Sequence, residues 1–293
     1  MRLSADCIAC MVKGQLRKLE GVEDEALRAD YMSRAAAIIA ACPHDEASPD
    51  LVPVLDDLFY GMFKRRRDLS AEKRQFNELL LSREDDIRSS IEKSQDRFLA
   101  ALKFSRTGNY IDYGVVKDVS GDELTRLIER TPASLIDEAE YAHLKDELKS
   151  AKRLAFLCDN AGEVVLDKLF LENIVRLYPH LGITAVVRGA DVLNDATMDD
   201  ARLTGLSATV HTIPNGDRGA GTNIKKISAE ARGVIESADV VISKGQGNFE
   251  TLHGSGLNIY YMFLCKCRWF AESFGVERMG GMFVNERRTP PIF

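Results

Sequence analysis

From residue 154 onward the sequence breaks into short apolar runs separated by amphipathic segments, and this alternation constrains the fold more than any other feature. Residues 154–158 (LAFLC), 183–187 (ITAVV), 209–213, 240–243 and 259–265 read as strands. Between and after them, 163–178, 195–204, 223–237 and 268–274 read as helices. Strand–helix alternation predicts βαβ units and a mainly parallel sheet, hence a Rossmann-like α/β fold. The preceding hundred residues differ: Leu16, Leu19 and residues 25–41 have helical spacing, and 71–104 contain no Gly or Pro and predict one long helix or two. A helical part, 1–105, therefore precedes an α/β core, 106–293. The basic run from Lys64 to Arg67 reads as a solvated helix face.

In an open parallel sheet, ligands bind beyond the carboxyl ends of the strands. Those ends carry the polar residues of interest. The first strand runs into Asp159, Asn160, Ala161, Gly162 and Glu163; the second into Arg188 and Gly189, then Asn194 and Asp195. The fourth runs into Lys244, Gly245, Gln246, Gly247 and Asn248, and the fifth carries Lys266. Asp159, Asn160 and Asp195 supply hard oxygen ligands suited to Mg²⁺ or Mn²⁺. The plainer alternative is that they cap helices. The two glycines of the 244–248 loop let backbone N–H groups approach an anion, or else mark an ordinary strand-to-helix turn. Lys266 sits in an apolar stretch, so it must emerge at a cleft or pair with a carboxylate.

Familiar machinery is missing. There is no GxxxxGK[ST] loop, no GxSxG elbow and no aspartate-x-aspartate after the first strand. The Gly-rich stretch from Gly216 to Gly221 does not follow the first strand, and the histidines lack metal-ligand spacing. A net charge of −6 argues against a general nucleic-acid binder but not against a small anionic substrate. No apolar run approaches a membrane span, and the N-terminus lacks a signal-peptide core, so a cytoplasmic protein is expected. The six cysteines do not resemble a secreted disulfide framework.

Taken together, these segments resemble the damage-control phosphatases, part of the acidic-residue methyltransferase-like superfamily. Asp159-Asn160-Ala161-Gly162-Glu163, with Asp167 in the same helix, is similar to the family's first signature. Asn194-Asp195-Ala196-Thr197 resembles its second metal motif, and the stretch from Ser243 to Glu250 its glycine-rich substrate loop. Lys266 stands where the family has a late substrate lysine. The stretch Gly108-Asn109-Tyr110-Ile111-Asp112-Tyr113-Gly114 resembles its Gly-Asn-x-Ile-Asp segment, and Cys7-Ile8-Ala9-Cys10 the CxxC of its microbial subfamily. The resemblance implies a three-layer α/β/α sandwich with a helical N-terminal part. It implies a divalent metal on Asp159, Asn160 and Asp195, with Mg, Mn, Ni or Co as choices, and hydrolysis of sugar phosphates or damaged phosphometabolites. One departure matters: the sugar-phosphate branch has Arg-Thr-x-Lys where this chain has Phe263-Leu264-Cys265-Lys266, so substrate choice does not carry over.

On this basis Asp159, Asn160 and Asp195 are expected to carry the metal and the chemistry, with attack by water favoured over attack by Asp159. Glu163, Lys244, Gly245, Gln246, Asn248, Lys266, Asn109 and Arg188 are expected to bind substrate. The alternatives are an S-adenosylmethionine-dependent methyltransferase and a non-catalytic metal- or nucleotide-binding module. The partner is a small phosphorylated metabolite, with no nucleic acid and no membrane; a homo-oligomer stays open. Cys7 and Cys10 are expected to be non-catalytic. They would act as packed small residues, or with Cys265 and Cys267 as a structural metal site or disulfide.

Overall fold

The computed structural model describes residues 3–110 and 121–290. Six strands form one sheet: β1 (Arg153–Leu157), β2 (Gly182–Val187), β3 (His211–Pro214), β4 (Val240–Lys244), β5 (Ile259–Leu264) and β6 (Gly281–Asn285). Their order is β3-β2-β1-β4-β5-β6. The first five are parallel, and β6 pairs antiparallel with β5 as an edge strand. Because the chain leaves β1 for β2 on one side and β4 lies on the other, the order reverses between β1 and β4. Such a switch point opens a crevice at the carboxyl ends of its strands.

Side chains alternate across each strand. Leu154, Phe156, Val240, Ile242 and Met262 face one helical layer, and Ala155, Leu157, Val241, Tyr261 and Phe263 the other. The first layer holds α4 (Ser70–Leu81), α5 (Glu84–Lys93), α6 (Arg97–Gly108), α7 (Gly121–Arg130), α8 (Glu138–Ser150) and α9 (Glu163–Leu177). The second holds α12 (Ala229–Glu236), α13 (Gln246–Leu252) and α14 (Arg268–Phe274). This is the expected three-layer α/β/α sandwich. Three N-terminal helices, α1 (Ala5–Lys18), α2 (Glu25–Ala40) and α3 (Ser48–Phe63), build a small core of their own around Tyr31, Ala35, Leu51 and Leu55. Among the described residues, no helix is long and apolar enough to cross a membrane.

Several boundaries differ from the sequence reading. The stretch 71–104 forms three helices, broken at Ser82 and Arg83 and again at Ser94, where Asp96 caps the next helix through Leu99 N. The division expected near residue 105 falls inside α6, which packs along α9. An apolar stripe without Gly or Pro builds a layer of the sandwich as readily as a separate unit. The third strand starts at His211, because Leu206–Thr209 closes a short helix, α11. The helix expected from 223 begins only at Ala229, where Ser228 caps it through Ala231 N. The edge strand β6 went unread: GMFVN is short and follows a turn.

Candidate active site

The turn after β1 does not serve as a side-chain cap for the helix that follows it. Asp159 and Asn160 do not cap α9; its N-cap is Gly162, at φ +79°, with no side-chain cap. Asp195 is no cap either. The N-cap of α10 (Met198–Leu203) is Thr197, whose N–H and hydroxyl both donate to Asp200 Oδ2 at 2.8 and 2.9 Å. Residues 195–197 are instead drawn into the sheet edge: Ala196 N donates to Asp159 O at 2.7 Å, and Ala161 N to Asn194 O at 2.9 Å. Asn160 and Asp195 pair as an isolated bridge, as do Arg188 and Thr197. These bonds explain why α10 starts at Met198 and not at 195. They also lay the two carboxylate-bearing turns side by side, with capping removed as a rival role for Asp159 and Asp195.

Arg188 joins the two carboxylates. It is 2% exposed. Its Nε donates to Asp195 Oδ2 at 2.5 Å, and its Nη2 lies 3.6 Å from Asp159 Oδ1. Nη1 donates to Gly221 O at 2.7 Å, to Asn248 Oδ1 at 2.9 Å and to Thr222 Oγ1 at 3.2 Å. Nη2 is buried and has no hydrogen-bond partner among the described residues. Burial pushes the Asp159 carboxyl up to about 8, and the charges of Asp195 and Glu163 push the same way, against Lys266 and Arg188. A carboxylate so crowded gains from a nearby cation. Asn160 presents Nδ2 to Asp159 Oδ2 at 2.7 Å and to Glu163 Oε2 at 2.9 Å, while its carbonyl oxygen accepts from Asn194 Nδ2 at 2.9 Å. Among the described residues, no three Asp, Glu, His or Cys side chains meet as a metal cage. The donor set is two carboxylates and an amide, a hard-oxygen set that fits a divalent cation keeping several waters.

Four residues expected on substrate are committed elsewhere. Lys244 is fully buried, and its Nζ donates to Glu163 Oε1 at 2.6 Å, Asp167 Oδ1 at 2.6 Å and Ser105 O at 2.7 Å. Burial pulls its pKa down, but Asp167 and Glu163 more than reverse this and raise it. All three protons of the ammonium are thereby engaged within the protein. Glu163 is buried with it, behind Asp159. Asn109, also fully buried, donates Nδ2 to Asp159 Oδ2 at 2.9 Å and to Glu163 Oε2 at 3.1 Å, and accepts from Leu264 N at 3.2 Å. Asn248 accepts from Arg188 and Thr222 and donates to Cys158 O and Lys244 O. These residues hold the site's walls. The rest of the expected segment, Ile111 to Gly114, lies outside the described residues.

Of the other residues expected on substrate, Gly245 is buried and Gln246 and Lys266 are half-buried. Gly245 sits at φ +82° with its backbone against the Asp159 carboxylate. Gln246 accepts from Lys266 N at 3.1 Å and donates to Glu250 Oε1 at 2.8 Å, tying the turn after β5 to α13. Lys266 is half-buried, and its charge bears on Asp159. Sequence reading missed Ser105, Asn77, Asp200 and Thr222, each a single polar residue in a helix or turn. The one available signal was Asp167, one helical turn from Glu163 inside the apolar stretch VVLDKLF. The six cysteines are free thiols; Cys7 is half-buried, Cys10 exposed and Cys265 buried.

Residues 3–281 match the family model described as the damage-control phosphatase ARMT1-like domain. The chain is 28% identical over 282 residues to the damage-control phosphatase PH1575 of Pyrococcus horikoshii, covering 95% of this chain and 96% of that protein. It is 34% identical over 190 residues to a damage-control phosphatase of Archaeoglobus fulgidus, 64% of this chain and 65% of the relative. An uncharacterized protein, MJ0202 of Methanocaldococcus jannaschii, is 32% identical over 213 residues, 70% of this chain and 69% of its own. The crystal structure of the DUF89 family protein PH1575 superposes with a TM-score of 0.83 at 26% identity, over 98% of this chain and 99% of that one. Nothing in these matches supports the methyltransferase alternative.

Proposed function

The chain belongs to the damage-control phosphatase ARMT1-like domain family, whose members are metal-dependent phosphatases, and from that premise we propose that Asp159, Asn160 and Asp195 hold the divalent metal and that Arg188 and Lys266 receive the phosphate. The observation that carries this assignment is the buried guanidinium of Arg188. It spans Asp159 and Asp195 and keeps Nη2 without a hydrogen-bond partner among the described residues. A buried donor without a partner costs about 1–3 kcal/mol, and a phosphoryl oxygen supplies the acceptor.

When bound, the cation neutralises phosphoryl charge and helps align in-line displacement. The chain's own residues do the rest. Four bonds through Nε and Nη1 fix the guanidinium plane, so Nη2 is aimed before substrate arrives and little reorganisation accompanies charge build-up. Lys266, half-buried, adds a second positive charge for the outer phosphate oxygens. Gly245, having no side chain, keeps the β4–α13 turn flat against Asp159 and the crevice open.

We assign the substrate to small phosphorylated metabolites, sugar phosphates or damaged phosphometabolites among them, with Mg²⁺, Mn²⁺, Ni²⁺ or Co²⁺ as the metal. The test is phosphate release from p-nitrophenyl phosphate and a panel of sugar and cofactor phosphates, with each metal in turn. Release that needs metal and disappears in Asp159→Ala is the expected result. Turnover that persists in Asp159→Ala with metal still bound, or no release from any substrate with any metal, would refute the assignment; the latter result would favour a module that only binds.

A further inference from the structure

One fully buried amide outside the strand ends bonds both the turn that carries Asp159 and Asn160 and the helix that follows Asp195. Asn77, on α4, is 0% exposed. Its Oδ1 accepts from the N–H of Gly162 at 2.6 Å, two residues beyond Asn160. Its Nδ2 donates to Asp200 Oδ1 at 2.8 Å, on the helix that follows Asp195. We propose that Asn77 is a positioning residue that sets the spacing between the Asp159–Asn160 turn and the Asp195 turn, and thereby the metal affinity of the site. The proposal rests on the metal assignment above.

Three observations make the amide a spacer and not a general packing residue. Asn77 Oδ1 is the acceptor for the Gly162 N–H, which has no backbone acceptor among the described residues. Gly162 also lies close against α4: a Cβ built there would stand 3.1 Å from Phe76 Cβ. On the other side Asp200 is itself immobilised. Its Oδ2 takes the N–H and hydroxyl of Thr197 and lies 2.9 Å from Lys73 Nζ, which also reaches Asp191 Oδ1 at 2.9 Å. Both ends of the Asn77 amide therefore contact groups that have little freedom to follow it. An amide suits the task because it accepts on one side and donates on the other without adding charge beside two carboxylates.

The donor direction makes this testable by exchange. Asn77→Asp still accepts from Gly162 but sets a carboxylate against Asp200. The double variant Asn77→Asp, Asp200→Asn reverses the donor, restores a bond and leaves net charge unchanged. Mn²⁺ affinity is measured by titration for wild type, both variants and Asp159→Ala, with kcat/KM in parallel. Partners that orient metal ligands typically contribute 10–100-fold in affinity. Asn77→Asp is expected to weaken Mn²⁺ binding by about that factor, and the exchange to recover it to within about threefold. Should Asn77→Asp fail to fold, Asn77→Ser, too short to reach both groups, is measured for the same 10–100-fold loss. Wild-type affinity in the single variant, or a loss that the exchange does not recover, overturns the spacer role. Mn²⁺ binding that survives Asp159→Ala instead overturns the metal assignment, and the spacer role with it.

Discussion

A Cβ at position 245 would stand 2.1 Å from both Cγ and Oδ2 of Asp159. The glycine after β4 and the carboxylate after β1 thus occupy the switch point of the sheet together, and neither side chain can grow without displacing the other. Gly245→Ala combines that clash with a backbone at φ +82°, which an L side chain rarely adopts. We expect metal affinity to fall by at least about tenfold, on the scale set by displaced metal ligands, while circular dichroism stays native. Metal titration of the purified variant decides it, and an unchanged dissociation constant would show that Asp159 is not a ligand in this position.

Lys244 should matter for stability before it matters for binding. Replacing it with methionine leaves Glu163 and Asp167 buried without their cation, and removing one partner of a buried pair costs about 3–5 kcal/mol. Urea denaturation should register that loss at neutral pH. If Lys244→Met is as stable as wild type but has a raised KM, the ammonium serves substrate after all.

Arg188→Lys keeps the charge but not the fork. Lysine cannot meet Asp195, Gly221 and Asn248 while aiming a further donor at the crevice. A drop in kcat on the order of 10²-fold is expected, comparable to losing one oriented donor. Steady-state kinetics at saturating metal would contradict this if kcat held and only KM moved.

Lys266→Ala should raise KM roughly tenfold or more, in line with about 1.5–3 kcal/mol for a hydrogen bond to a charged group. Metal affinity should barely change. The opposite pattern, weaker metal with KM intact, would mean that Lys266 serves Asp159 and not the phosphate.

Cys7 and Cys10 should be dispensable for turnover. Burial, the largest influence, raises the Cys7 thiol above its ordinary value, so the thiolate that redox or metal chemistry requires is scarce at neutral pH. The double variant Cys7→Ser, Cys10→Ser should release phosphate at the wild-type rate. Lost activity in a folded protein with full metal occupancy would reverse that conclusion.

The sheet was legible because a buried parallel strand must be apolar, and LAFLC, ITAVV and IYYMFL admit few other structures. Strand ends likewise follow from the runs that precede them, so Asp159, Asp195 and Arg188 could be gathered on one edge without coordinates. Side-chain direction was not legible. Lys244 ends one apolar strand and Lys266 follows another, yet the first is fully buried against Glu163 and Asp167 and the second is only half-buried. The deciding factor is a pair of carboxylates on α9 that become its neighbours only after folding. Asn77 left no trace either: in an exposed-looking, charge-rich helix, one asparagine is indistinguishable from a solvated one.

The bonds that shape the crevice have long reach along the chain. Asn77 and Asp200 are 123 positions apart, Lys73 and Asp191 118, Asn109 and Asp159 50. Loops of that length are slow to close, and such contacts form late in folding. Helices α4 and α6 leave the ribosome before the turns they grip, and the core they pack on is completed only afterwards. On dilution from denaturant, helices and strands are therefore expected to return before these long-range bonds close.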